Sequence, residues 1–305
     1  MDDDSMNQVS VPRWLAQRER GSRFTMRLIS WITLSLGYTA GRILLYPICL
    51  YFLIAFSGGA RRASRDFLGR VLGRQVSVLD LFRHYHTFAS TIHDRIYLLT
   101  GRLHPFDVRL EGTAILEEAL RAGRGCILLG SHLGSFEILR AKGIIERKLP
   151  IRVLMHEGNA QRLNSVLHGL NPQIRNSLIP LGRPDTLLRV KEALDQGEIV
   201  GLLADRAMPG ETVLPCPFLG EDAPLPEGPF LLAHLLEVPV VLFFGLYLKR
   251  GHYAVYLEPL PLSPHTTDRR QATRTLAQHY TRRLEYYAEI APYNWFNFYD
   301  FWHPA

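Results

Sequence analysis

The stretch Gly130-Ser131-His132-Leu133-Gly134-Ser135-Phe136-Glu137 places a carboxylate five residues after a histidine. Those two residue types can do acid–base chemistry together. A carboxylate that holds one imidazole nitrogen fixes the tautomer and raises the basicity of the other nitrogen. That other nitrogen can take a proton from a hydroxyl as it attacks a carbonyl. Gly134 and the small Ser131 leave room for an acyl group. A helix beginning near Gly134 would offer free N–H groups to an oxyanion and set Glu137 about one turn in, facing back toward His132. The spacing alone is loose, and a chance pair in a surface turn is the plain alternative. The apolar run CILLG (126–130) immediately before it favours the chemical reading. A serine-hydrolase elbow is absent, because serine takes the second place of the Gly130–Gly134 stretch and histidine the third.

A second charged pair, Asp205-Arg206, follows another apolar run, EIVGLLA (198–204). The guanidinium fork of Arg206 matches a phosphate or carboxylate of a substrate. Asp205 is expected to orient Arg206 or a substrate hydroxyl; the alternative is a structural ion pair. Glu157, after the run IRVLM (151–155), is a further candidate for lining the pocket. Cys49, Cys126 and Cys216 are few and widely spaced, which suits neither a disulfide framework nor a zinc site. His84, His86 and His93 lack carboxylates at ligand spacing, so no metal is expected.

The elements that must carry these residues can be read from periodicity. Helices are expected at 76–100, 113–122, 135–148, 160–170, 185–196 and 268–290. Strands are expected at 126–130, 151–155, 177–181, 198–204, 238–248 and 252–260, the last two as a hairpin across Lys249–Gly251. Strands alternating with helices imply an α/β fold with a mostly parallel central sheet flanked by helices. Ligands in such sheets gather beyond the carboxyl ends of strands, which is where His132 and Asp205 fall. The 305 residues are 47% apolar and 21% charged, values that exclude a disordered chain, a coiled coil and a polytopic membrane protein.

The net charge of +6 belongs wholly to residues 1–75, which hold eleven arginines, no lysine and five acids. Those residues are read as a membrane-anchoring segment, and 76–305 as the catalytic α/β domain with an aromatic tail. Residues 28–41 and 43–56 are uncharged runs separated by Arg42. Each is short of the roughly 18–20 residues that cross a bilayer. With arginines on both sides, they suit a kinked helical segment that dips into one leaflet and is held to anionic lipid by its flanks. The alternatives are a tilted span, for which the joined 29 residues (28–56) are long enough, and a buried helix pair. No nucleic-acid-binding motif accompanies the basic residues, and Arg42 interrupts any signal-peptide reading.

On these residues the chain resembles a family. GSHLGSFE is similar to the His-x4-Asp/Glu block of the lysophospholipid and lipid A biosynthesis acyltransferases. ADRAMPGETVLPCPFLGEDAPLPEGPFLLAHLLEVPVV (204–241) is similar to a longer block of the lipid A branch, carried here by Asp205-Arg206, Pro217-Phe218-Leu219-Gly220 and Gly228-Pro229. The resemblance covers roughly residues 15–302. It implies a glycerolipid-acyltransferase-like fold and acyl transfer from a carrier thioester to a lipid or sugar hydroxyl. It implies no metal or covalent cofactor; acyl-acyl carrier protein or acyl-coenzyme A serves as co-substrate. His132 is then the general base and Glu137 its orienting partner, in an enzyme at the cytoplasmic face of a bacterial inner membrane.

Two departures stand out. The arginine that lipid A enzymes place close to the end of the strand at 151–155 is missing, and Arg162 and Arg175 are the candidates to replace it. The tail APYNWFNFYDFW (291–302) has seven aromatic residues and no Lys or Arg. That tail and the opening WLAQRERGS (14–22) resemble the acyltransferases of aryl polyene pigment clusters. The aromatics are expected to line an acyl groove, to lie at the membrane interface, or to cover the core. The competing functions are a lipid esterase or phospholipase that uses water, and a non-catalytic lipid-binding partner of a biosynthetic complex.

Overall fold

The computed structural model describes residues 23–55, 58–121, 123–147, 149–156, 177–208, 210–262 and 268–303. The helix expected at 160–170 and Glu157 lie outside them. Three helices come first: α1 (Arg23–Ala55), α2 (Gly58–Leu72) and α3 (Val78–Leu99). Then β1 (Asp107–Glu111), α4 (Thr113–Arg121), β2 (Cys126–Gly130), α5 (Phe136–Arg147), β3 (Ile151–His156), β4 (Leu178–Leu181), α6 (Thr186–Asp195) and β5 (Ile199–Leu203) alternate along the chain. A hairpin β6 (Val213–Phe218) and β7 (Glu221–Pro226), helix α7 (Gly228–Leu236), strands β8 (Val240–Lys249) and β9 (His252–Pro259) and helix α8 (Arg269–Ile290) complete it.

Seven strands form one sheet in the order β1-β9-β8-β2-β5-β3-β4. Every neighbouring pair is parallel except the β8–β9 hairpin. The expected α/β class is therefore observed. β2 and β5 are short and apolar because helices cover both of their faces. Alternate side chains go to opposite layers. Ile127, Leu129, Leu242, Phe244 and Leu246 pack into a cluster with Tyr280, Leu284 and Tyr287 of α8. Cys126, Leu128, Val241 and Phe243 pack into another with Leu116 of α4 and Ile138 and Leu139 of α5.

The apolar N-terminal runs form one helical element that is broken at Gly37 (φ 86°). Beyond the break α1 lies antiparallel along α3. Tyr38 contacts the rings of His93 and Tyr97, and Tyr46 contacts His86 and Phe82. Arg42, the charge inside the apolar run, turns into the protein. It hydrogen-bonds the Tyr247 hydroxyl and lies 3.6 Å from the fully buried Asp94, which also accepts from Tyr253 Oη at 2.8 Å. Away from α3, α1 leaves Ile43, Leu44, Leu50, Tyr51, Phe52 and Ile54 exposed.

The sequence patterns missed β1 and the β6–β7 hairpin. The hairpin carries Pro215, Pro217, Pro224 and Pro226, residues that normally argue against strands. They are tolerated because β6 and β7 pair only with each other. Leu219 and Gly220, both with positive φ, close the turn between them, as two-residue hairpin loops prefer.

Candidate active site

β2 and β5 are adjacent, parallel and in register, with Gly130 opposite Leu203. The Ala204 N–H donates to the Gly130 carbonyl at 3.0 Å and extends the pairing past the strand ends. His132 and Asp205 each come two residues after their strand, so the pairing brings them together. His132 Nδ1 lies 2.8 Å from Asp205 Oδ1, and the His132 backbone N–H donates to Oδ2 at 3.0 Å. A carboxylate can only accept, so the proton sits on Nδ1 and Nε2 carries the free lone pair. Nε2 has no hydrogen-bond partner among the described residues, and the ring keeps 28% of its exposure.

Asp205 is fully buried and its Oδ2 receives two further donors. Trp295 Nε1–H reaches it at 3.0 Å and Asn297 Nδ2–H at 3.4 Å. Burial opposes its ionisation, but the His132 charge, the His132 hydrogen bonds and Arg206 outweigh burial and hold its pKa at about 2. Burial first, and Arg206 second, push the His132 imidazole below its ordinary value, against the pull of Asp205. The ring is thus a neutral base with a fixed tautomer.

This corrects the expected pairing of His132 with Glu137. Helix α5 starts at Phe136 rather than Gly134, and Glu137 in its first turn faces other partners. Arg95 Nη2 of α3 donates to its Oε1 at 2.9 Å, and Arg140 Nε, three residues along α5, donates to Oε2 at 2.7 Å. Burial works against the Glu137 charge, yet Arg140 and Arg95 keep its pKa below the usual carboxylate range. Glu137 ties α3 to α5.

Arg206, expected to take a substrate phosphate or carboxylate, has two of its donors on the tail: Nε donates to Asn297 Oδ1 at 2.5 Å and Nη2 to the Phe296 carbonyl at 2.7 Å. Asp205, expected to orient Arg206 or a substrate hydroxyl, holds His132 Nδ1. Two N–H groups counted toward an oxyanion site are already used: Gly134 N–H donates to the Asn294 carbonyl at 2.8 Å and Ser135 N–H to the Gly245 carbonyl at 2.7 Å.

Gly134 serves a close approach instead. Its φ is +70°, and a Cβ there would sit 1.9 Å from the Gly245 carbonyl oxygen. Ser131 is buried beside His132. Tyr280 of α8 anchors the end of β2 by donating to the Gly130 carbonyl at 2.8 Å.

Sequence reasoning missed Trp295, Asn297, Arg95 and Arg140. Arg140 had a readable signal, since an arginine three residues after Glu137 on a helix is positioned to pair with it. Arg95, Trp295 and Asn297 are far away in sequence and carry no such signal. Residues 81–303 match the family model described as bacterial lipid A biosynthesis acyltransferase. No curated protein matches the chain.

Proposed function

The chain belongs to the bacterial lipid A biosynthesis acyltransferase family, and from that premise we propose that it moves an acyl chain from a carrier thioester to a hydroxyl of a lipid or glycolipid, with His132 as base. The observation that carries this reading is the His132–Asp205 pair, with Nε2 open at the carboxyl edge of the sheet. Nε2 takes the proton of the acceptor hydroxyl as its oxygen attacks the thioester carbonyl. Asp205 stabilises the imidazolium that forms. The carbon–sulfur bond then breaks, and the imidazolium returns the proton to the leaving thiolate. The acceptor oxygen ends as an ester and the carrier as a free thiol.

The donor we assign is an acyl carrier protein or coenzyme A thioester. The aromatic tail favours an acceptor or acyl chain unlike that of lipid A, and aryl polyene lipid assembly is the pathway we assign. The location we assign is the cytoplasmic face of the inner membrane, with α1 lying in the membrane plane. Residues 37–55 are long and apolar enough to span. Yet α1 runs along α3 from Tyr38 to Tyr46, and Arg61 Nη1 donates to the Leu53 carbonyl. A spanning α1 would pull α3 and its buried Asp94 into hydrocarbon, at a cost an in-plane helix avoids.

Lipid mass spectrometry of cells with the wild-type gene, a deletion and His132→Ala tests the reading. A lipid missing from both mutants identifies the product and supports the base. A lipid missing only from the deletion would mean that the protein acts by binding. Thioester loss without any acceptor would make it an esterase.

A further inference from the structure

We infer that Trp295 is a positioning residue of the catalytic pair, and that residues 294–297 are a strap that fixes the Asp205 carboxylate against His132. The inference rests on the acyl-transfer reading above. The strap runs beside the His132 loop and is tied to it on both sides of Trp295. Gly134 N–H donates to the Asn294 carbonyl at 2.8 Å, and Phe296 N–H donates to the His132 carbonyl at 2.9 Å. Asn294 is clasped in turn by Tyr247 of β8, accepting its N–H at 2.7 Å and donating to its carbonyl at 3.1 Å.

Between those ties the Trp295 ring is fully buried among Phe67, Phe218, Phe301 and Trp302, with centroids 4.6–6.2 Å away. Its carbonyl lies 2.8 Å from Nε2 of buried His84, whose Nδ1 lies 2.7 Å from Ser64 Oγ. Burial pushes the His84 imidazole down to about 4, so it stays neutral and donates from Nε2. The indole can therefore neither turn nor slide. Its N–H is aimed at Asp205 Oδ2 from within a rigid aromatic cluster.

This geometry sets Asp205 by filling Oδ2. Three N–H groups converge on that oxygen: His132 backbone, Trp295 Nε1 and Asn297 Nδ2. Among the described residues, Oδ1 is left to the imidazole alone. A carboxylate with one oxygen saturated and the other single-partnered has one orientation, and the imidazole plane follows it. The tail's aromatic density, on this reading, builds the socket for one N–H donor.

The test is Trp295→Phe in the full chain, which keeps an aromatic ring and removes the donor. Steady-state kinetics use an acyl-acyl carrier protein donor and the acceptor lipid found by mass spectrometry, across pH. We expect kcat to fall about tenfold or more, as loss of a hydrogen bond to a charged group implies. KM for both substrates stays unchanged, because no substrate contact is lost. The acid limb of kcat/KM moves to higher pH: a carboxylate relieved of a donor holds the imidazolium more strongly. Arg206 and Arg95, the other charges acting on His132, are left in place.

Tyr293→Phe is the control. It removes a donor from the same tail, the hydroxyl that reaches Asp80 Oδ1 at 2.7 Å, outside the rings around Trp295 and away from Asp205, and it leaves the acid limb where it is. A kcat for Trp295→Phe within twofold of wild type overturns the inference. So does a fall in kcat with an unmoved acid limb, which marks a purely structural residue. If Trp295→Phe does not accumulate folded, 3-benzothienylalanine at 295 keeps the two-ring volume without the N–H and faces the same criteria. His132→Ala in the same assay separates the two readings. Turnover retained there sinks the acyl-transfer reading, whereas a dead His132→Ala beside an unaffected Trp295→Phe sinks only the strap.

Discussion

Asp205→Asn replaces one carboxylate oxygen by an amide nitrogen and leaves the outline of the side chain unchanged. Three N–H groups meet the Oδ2 position, at 3.0, 3.0 and 3.4 Å, and one imidazole nitrogen meets Oδ1 at 2.8 Å. An amide nitrogen at Oδ2 would face three donors, so the amide carbonyl takes that place. The NH2 group then faces His132 Nδ1, which must accept. The proton moves to Nε2, and the base is lost. In a serine-protease triad the same change of tautomer costs on the order of 10⁴ in kcat. Here the partly exposed ring is freer to escape, so we expect a loss on the order of 10³–10⁴, or about 4–5.5 kcal/mol. Folding should survive, because the outline and the three donors' acceptor are kept. Glu137→Gln is the contrasting variant. It removes a charge held by Arg95 and Arg140, so the thermal midpoint should drop by the equivalent of about 3 kcal/mol. Its kcat should stay within about tenfold of wild type. The assay is acyl transfer to the lipid acceptor, followed by mass spectrometry, on protein shown to be folded by circular dichroism. A folded Asp205→Asn enzyme with more than a tenth of wild-type kcat would refute the reasoning. A folded but inactive Glu137→Gln enzyme would return the orienting role to Glu137.

Other outcomes follow from the same geometry. Burial and Arg206 lower the His132 pKa, so the neutral base persists to acidic pH, and the acid limb of kcat/KM should lie below the ordinary imidazole value of about 6.5; a limb at or above it contradicts the electrostatics. The same depressed pKa means that the unfolded chain binds the proton first, so this group's share of stability is lost as pH falls through the unfolded value, which pH-dependent chemical denaturation can check. Gly134→Ala puts a Cβ 1.9 Å from the Gly245 carbonyl at a φ of +70°, and it should abolish activity with little folded protein recovered, judged by soluble yield and circular dichroism. Arg42→Met strands Asp94 in the core and should cost about 3 kcal/mol in denaturant unfolding, with Arg42→Met plus Asp94→Asn recovering part of it.

The strand order of β2 and β5 was not written in the sequence, and that is why Asp205 was found but given the wrong task. Apolar runs ending in a charged residue marked both strand ends, and those runs are legible because buried parallel strands need nothing else. Pairing across 73 residues is a property of the whole sheet. Local spacing offered Glu137 first, because an i,i+5 relation looks close when the helix start is misplaced by two residues. The tail shows the same limit from the other side. Its aromatic density left an acyl groove, a membrane interface and a cover over the core all open, and Trp295 is fully buried in the core. Which N–H groups in it would meet Asp205 depends on the His132 loop pairing with residues 294–296, and neither stretch has a strand's alternation. Arg42 fell to the same cause. As sequence it interrupts an apolar run; as structure it is the polar anchor that sets α1 on α3, because Asp94 and Tyr247 reach it from elements that follow much later. What decides the chemistry of this site is long-range: one residue after β2, one after β5, and a donor from the last stretch of chain.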